Sequence, residues 1–360
     1  MSKDRLFNLA DVYYGKSPNG FRSESETKYK MYGTGGVVGY STKPLFASSG
    51  VVIPRKGSLN NPSYTTGEYW VIDTAYAAIP KEGIDAKWLY YQLVNFDLSS
   101  LNEATGVPSI SRDLLYKTEL FKTSYEEQQR IVVILSSVDR RIELTQKLIE
   151  KKKLIKTGLF HTFLSSLTAI DRELGKFCRI EIGGTPSRAN EDYWSSENTG
   201  SPWVSIADLK ANIIYSTKES ITEKAIYSSN VKLLKAGTLM MSFKLTLGKV
   251  AIAGTDLYTN EAIAAMYPDA SCRSLWLYYL LPYVVQNSIS ETAVKGATLN
   301  KQSMAKLMVP IPDIQDQDKF IELMSICDGD LEKEILLLSK LKAQKQGLMQ
   351  DLLTGQVRVN

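Results

Sequence analysis

Two stretches of this chain place apolar residues at helical spacing, and the segments before each of them alternate in the manner of short strands. Over residues 125–170, Ile131, Leu135, Val138, Ile142 and Ile149 recur at intervals of three, four and seven. Over residues 313–360, Met324, Cys327, Leu331, Leu338 and Leu341 do the same. Such a narrow stripe is closer to a coiled-coil seam than to the broad apolar face of a helix lying on a globular core. Neither stretch contains proline, so each is predicted to run unbroken for about 40 residues, roughly 60 Å at the α-helical rise. Residues 1–124 and 171–312 read differently. Short β-rich runs such as Val37-Val38-Gly39-Tyr40, Gly50-Val51-Val52-Ile53, residues 68–72, Leu239-Met240-Met241 and residues 249–253 are punctuated by Gly, Asn, Ser and Pro. That texture predicts α+β globular units.

The pattern occurs twice. Glu127-Gln128-Gln129-Arg130-Ile131, followed by Ser136, Asp139, Glu143, Leu148, Lys151, Lys153, Lys156 and Gly158-Leu159, returns 189 residues later. The second copy is Asp316-Gln317-Asp318-Lys319-Phe320, then Ser325, Asp328, Glu332, Leu337, Lys340, Lys342, Lys345 and Gly347-Leu348. A period so long is a duplicated domain-plus-helix and not a solenoid repeat. Each globular stretch opens on a related turn, Gly15-Lys16-Ser17-Pro18 or Gly183-Gly184-Thr185-Pro186, and each contains the helix-like string Trp-Leu-Tyr-Tyr, at 88–91 and 276–279. The predicted order is globular unit 1–124, helix 125–170, globular unit 171–312, helix 313–360. The two helices are expected to pair through Leu135, Val138, Ile142 and Ile149 of the first and Cys327, Leu331, Leu338 and Leu341 of the second.

Charge supports that pairing. Residues 125–170 hold eight Lys and Arg against five Asp and Glu, while residues 313–360 hold six against nine, so the helices carry +3 and −3. The whole chain, at +4, is too weakly basic to establish a nucleic-acid partner by itself. No apolar run approaches a bilayer span, the N-terminal residues show no secretory pattern, and Cys178, Cys272 and Cys327 are odd in number and far apart. The expected location is the cytoplasm, with reduced thiols and no membrane partner.

Candidate chemistry is sparse. His161 is the single histidine, and the cysteines lack metal-ligand spacing. Ala10-Asp-Val-Tyr-Tyr-Gly15-Lys16-Ser17 imitates the end of a phosphate-binding loop, but Ala10 replaces its first glycine and Tyr13-Tyr14 crowd its backbone. Asn61-Pro62-Ser63-Tyr64 resembles the motif of amino-group DNA methyltransferases, with Ser63 in place of the second proline, and reads as a plain turn. The pairs Tyr90-Tyr91 and Tyr278-Tyr279 are expected in cores, and Lys151-Lys152-Lys153 on a solvated helix face. More informative are polar and basic residues on turn-bounded loops. These are Lys16, Asn19, Arg22, Arg55, Lys56 and Ser58 in the first unit, and Thr185, Ser187, Arg188, Ser242, Lys244 and Thr246 in the second. Such residues can meet DNA phosphates and base edges. Loops on a β scaffold serve protein or sugar ligands equally, so a duplicated protein-interaction scaffold stays open at this point.

Longer strings narrow the choice. They are Gly296-Ala297-Thr298-Leu299-Asn300, Val309-Pro310-Ile311-Pro312, residues 345–355 (Lys-Gln-Gly-Leu-Met-Gln-Asp-Leu-Leu-Thr-Gly), the turn Gly183–Ser187 and Pro202-Trp203-Val204-Ser205-Ile206-Ala207-Asp208. With them the whole chain resembles the specificity subunit of type I restriction–modification systems. The resemblance implies two target recognition domains, separated by long helices that pair as an antiparallel coiled coil in a pseudo-two-fold duplication. It implies a non-catalytic reader of a bipartite, asymmetric double-stranded DNA site, docking two methyltransferase subunits and restriction/translocase subunits. AdoMet, ATP and Mg would serve those partners, with no cofactor in this chain. Units reading one face of B-DNA are expected about 34 Å apart, leaving a spacer of roughly six to eight base pairs between half-sites. Two departures stand out. Phe121-Lys122-Thr123-Ser124-Tyr125 replaces the proline-bearing lead-in of the second helix, which predicts a different approach to the first, and Lys16-Ser17 replaces Gly-Thr in the first turn.

Overall fold

The computed structural model describes residues 2–195, 199–291 and 299–359. The string Gly296-Ala297-Thr298 therefore lies outside the described residues. Two compact units make up the chain: residues 1–150 with 333–360, and residues 151–332. The long helices, Tyr125–Ser166 and Ile314–Leu353, of 42 and 40 residues, contribute to both units.

In the first unit a four-stranded antiparallel sheet has the order Ala10–Tyr14, Ala75–Pro80, Gly50–Pro54, Ser63–Thr65. A second sheet orders Arg22–Ser23, Gly36–Ser41, Lys30–Gly33 and Tyr69–Val71, the last pair parallel. The second unit repeats the plan. Cys178–Ile182, Ile263–Pro268, Leu239–Ser242 and Val250–Ala253 pair antiparallel, with Ile213–Ile214 added parallel at one edge. Its second sheet orders Trp194–Ser195, Glu219–Ile221, Ser201–Val204 and Tyr258–Thr259, again closing on a parallel pair. The β-rich runs predicted at 37–40, 50–53 and 239–241 fall on strands, as does all but Lys249 of the run 249–253. Wholly buried strands such as Gly50–Pro54 and Leu239–Ser242 read as continuous apolar runs because both their faces are covered.

The Trp-Leu-Tyr-Tyr strings lie on the helices Ala86–Asn95 and Ser274–Glu291, with Trp88, Leu89 and Trp276, Leu277 fully buried. Asp85 caps the first of these helices, its carboxylate accepting from the backbone N–H of Lys87 and Trp88. The ends of the long helices join these cores. Ile131 and Leu135 pack with Leu6, Trp88, Met349, Leu352 and Leu353 in the first unit, and Phe320 and Met324 pack with Trp276, Leu280 and Val309 in the second. A stripe that looks like a coiled-coil seam in sequence is thus, at its ends, a domain core.

The seam residues divide accordingly. Leu135, Val138, Ile149 and Leu341 are buried, whereas Ile142, Cys327, Leu331 and Leu338 are half-buried. Within each unit the helix portions run antiparallel. In the first, Asp139 meets Lys345 while Glu127 meets Arg358. In the second, Lys156 meets Asp328 while Lys152 lies 3.9 Å from Asp330.

The lead-ins to the two helices are alike, contrary to the sequence expectation. Each is a two-stranded ribbon, Ser2–Arg5 with Glu119–Lys122 and Ile170–Glu173 with Met308–Ile311. The carbonyl of Thr123 accepts from the Gln128 side chain at 2.9 Å, as that of Pro312 does from Gln317 at 3.0 Å. Only a carbonyl is needed there, and proline supplies one as well as threonine does.

Candidate functional site

In each unit the turn after the first strand is tied to the second sheet. Lys16 N–H donates to the carbonyl of Val71 and Gly184 N–H to that of Thr259. The indole N–H of Trp70 donates to the Lys16 carbonyl at 2.8 Å, and that of Trp203 to the Gly184 carbonyl at 3.0 Å. Both turns begin on a glycine for a steric reason. A Cβ on Gly15 would lie 2.0 Å from the Ile72 oxygen, and one on Gly183 would lie 2.3 Å from the Thr259 oxygen. The next position separates the units: a Cβ on Gly184 would strike Asn230 at 2.4 Å, while the first unit carries an exposed Lys16 there.

The central strand of the main sheet brings the second loop to the same place. Gly15 N–H donates to Ala75 O and Arg55 N–H to Thr74 O; in the second unit, Gly183 N–H donates to Ile263 O and Phe243 N–H to Ala262 O. Gly15 and Arg55 are therefore brought to neighbouring backbone at one end of the first unit, as are Gly183 and Phe243 in the second, while Arg22 continues onto the strand that pairs with Ser41. The first turn and the second loop of each unit thus meet in a mouth, and the two mouths share a backbone design.

Their side chains behave differently. Lys16, Asn19, Arg22, Lys56 and Ser58 are exposed, with Arg22 donating to the Val38 carbonyl at 3.4 Å. Arg55 is half-buried; its guanidinium donates to the backbone oxygen of Asp73 at 3.2 Å and lies 5.2 Å from the Tyr14 ring centroid. In the second unit Ser187 and Thr246 are exposed and Lys244 is half-buried. Arg188 forms a two-pronged pair with Glu219, at 2.5 and 3.1 Å, and stacks 3.7 Å from the Trp194 ring centroid. The Thr185 hydroxyl donates to Glu261, whose carboxyl is held below its ordinary range by that bond, aided by the nearby charges of Lys244 and Arg188. Ser242 is fully buried and its hydroxyl donates to the Thr246 carbonyl, so it shapes the turn and offers nothing outward. Above it Leu245 adopts a left-handed backbone, φ 59°, within a three-residue turn closed by Thr246 N–H on Lys244 O. Such a turn is strained for a residue with a side chain.

Residues the sequence reading missed complete the mouths. Glu219 and Glu261 balance cations in the second unit, and Tyr14 and Arg112 stand beside Arg55 in the first. Arg112 reaches that place because Gly57 N–H bonds Pro108 O and Ile110 N–H bonds Arg55 O, which lays residues 108–112 along the loop. No local motif marks it, since Tyr14 and Arg55, which it joins, lie more than 50 positions away.

The other sequence features resolve simply. Pro62 is buried at a turn into the strand Ser63–Thr65, and Asn61 donates to Thr34 O at 3.4 Å. His161 is exposed, edge-on to Tyr283. Cys178 and Cys272 are buried, and burial pushes both thiols up to about 12. Among the described residues no three His, Cys, Asp or Glu side chains cluster as a metal site, and no helix is long and apolar enough to cross a membrane.

A family profile described as the type I restriction modification DNA specificity domain matches residues 3–153 and again 170–338. The chain belongs to that family. Its two matches coincide with the duplication seen in the fold. The chain is similar to the MjaIX type I restriction enzyme specificity subunit of Methanocaldococcus jannaschii, 27% identical over 158 residues, which is 42% of this chain and 36% of that protein. It is also similar to the EcoR124I/EcoR124II specificity subunit of Escherichia coli, 25% identical over 184 residues, or 47% and 45%. The aligned parts thus span less than half the length of these two relatives. Among solved structures, the type I restriction–modification S subunit from M. genitalium shares the fold with a TM-score of 0.67 at 17% identity, over 98% of this chain and 96% of that one.

Proposed function

We propose that this chain is the DNA specificity subunit of a type I restriction–modification complex. One observation carries the reading: the same backbone mouth is built twice, and the side chains in the two mouths differ. A protein that must read two unlike words needs that combination, because a fixed frame positions loops while their chemistry sets what they contact. Each unit contacts one half of a bipartite, asymmetric double-stranded site. The first uses Lys16, Asn19, Arg22, Arg55, Lys56 and Ser58; the second uses Thr185, Ser187, Arg188, Lys244 and Thr246, with Ser242 as a bracing residue.

The helices set the gap between half-sites and dock two methyltransferase subunits, with restriction/translocase subunits joining where present. Exposed apolar side chains on them suit such docking: Leu144, Leu148, Ile335 and Leu336 in the first unit, Leu154 and Ile155 in the second. This chain is non-catalytic and cytoplasmic in the proposal, and AdoMet, ATP and Mg serve the partners. Methylation-sensitive sequencing of DNA from cells with and without the chain tests the reading. One split motif should lose its methylation on deletion; an unchanged methylome would refute it.

A further inference from the structure

The mouths of the two units differ in how their cations are balanced. In the mouth of the second unit Arg188 is paired to Glu219; Arg179, near the start of the strand Cys178–Ile182 and four residues before that mouth's turn, is paired to Glu181. In the first unit, Arg55 and Arg112 lie 5.2 and 5.1 Å from the centroid of the same phenol ring, Tyr14, which is partly exposed. Two guanidiniums so placed are at most about 10 Å apart, close enough to repel one another across a half-buried site. Neither has a carboxylate within ion-pair distance among the described residues. Arg55 takes the backbone oxygen of Asp73 and not its carboxylate, and the Arg112 Nε is buried without a hydrogen-bond partner. The chain nonetheless holds both in place. Arg55 is fixed by backbone bonds to Thr74 and Ile110, while Arg112 opens a helix capped by Ser111 and also faces the Tyr116 ring at 5.9 Å. An aromatic ring between cations offsets part of their repulsion through its quadrupole but leaves their N–H groups to be satisfied.

We propose that Arg55, Tyr14 and Arg112 form a phosphodiester docking point, by which the first unit anchors on the nucleic-acid backbone independently of base sequence. The inference rests on the DNA-reading function proposed above and adds a division of labour to it. A planar carboxylate is satisfied by one guanidinium fork, whereas a tetrahedral phosphodiester can offer an oxygen to each of two. Among the described residues the second unit shows no counterpart. Ile182 pairs with Ala264 where Tyr14 pairs with Tyr76, and the helix corresponding to that of Arg112 begins at Lys301.

The test is binding of the full chain to a fluorescently labelled random-sequence duplex across a salt series. Each phosphate contact contributes about 0.9 to the slope of log affinity on log salt. Arg55→Gln and Arg112→Gln are expected to lower that slope by up to this amount and to weaken low-salt binding several-fold. Arg179→Gln, whose cation already has Glu181, should leave the slope alone. If the Gln variants melt like the parent and keep its slope, the anchor is refuted while DNA binding stands. Parent binding without salt dependence overturns both readings. Loss of methyltransferase association with an unchanged slope would assign the pair to a partner's carboxylate and overturn the phosphate. Should a Gln variant fail to fold, the Lys variants decide. Charge without the fork should keep the slope and lose affinity, and parental affinity would count against the anchor.

Discussion

Gln128 and Gln317 hold equivalent places in the two copies, and both are fully buried. Gln128 Oε1 accepts from the Asp85 N–H at 2.8 Å while its Nε2 donates to the carbonyls of Thr123 and Gly83. Gln317 repeats this with the N–H of Arg273 and the carbonyls of Pro312 and Ser271. One amide thus ties the start of each long helix to the loop before the Trp-Leu-Tyr-Tyr helix. Gln128→Ala or Gln317→Ala should each cost about 1–3 kcal/mol for every buried backbone group left unpaired, read as a lower urea midpoint. Glu127 is a second control point, and its copy, Asp316, is bonded differently, to Lys319 at 2.8 Å. The buried Glu127 carboxylate accepts from Arg358 at 2.7 and 2.6 Å and from Val359 N–H at 3.2 Å, which lowers its pKa from 4.5 to about 2. A depressed carboxyl stabilises the fold above its unfolded pKa, and that contribution is lost as pH falls towards the folded value. The first unit should therefore lose stability between about 4.5 and 2, and Arg358→Ala should raise the pH at which acid unfolding begins. A pH titration of tryptophan fluorescence would show it.

At the scale of elements, the 189-residue repeat encodes a reciprocal clasp. Tyr91 donates to Asp139 at 2.6 Å and lies 3.4 Å from the Ser136 hydroxyl, and Lys345 reaches the same carboxylate at 2.7 Å. In the second unit Tyr279 donates to Asp328 at 2.9 Å and lies 3.4 Å from Ser325, with Lys156 on the same carboxylate. Each helix supplies an aspartate to one clasp and a lysine to the other. Burial, reinforced by the aspartate, raises both phenols well above the ordinary tyrosine range, so they stay neutral donors. Because the pair is only partly exposed, a double-mutant cycle on Asp139 and Lys345 should return a coupling of about 0.5–3 kcal/mol. Exchanging the two residues should recover stability that either single substitution loses. The aromatic strings were readable as core from their amphipathic setting. That Ser136, Asp139 and Lys345 converge on Tyr91 was not, because the residues are spread over more than 250 positions.

For the whole molecule, the proposed ruler gives a direct outcome. Inserting one helical turn, about four residues, into both long helices should lengthen the spacer of the methylated motif and leave its half-sites unchanged. Changed half-sites in methylation-sensitive sequencing would sink the ruler.

Periodicity, turn residues and the internal repeat were enough to specify two copies of an α+β unit with a long helix after each, since local spacing records which face a segment buries. Tertiary structure decided the rest. It spread both long helices over two compact units, because Met349, Leu352 and Leu353 complete the core begun by Leu6 and Trp88. It also decided which candidate cations are balanced. Glu219 neutralises Arg188, whereas Arg112 arrives beside Arg55 with no acid to match among the described residues. Charge balance depends on distances of a few ångströms between residues remote in sequence, and only the packed chain sets those distances.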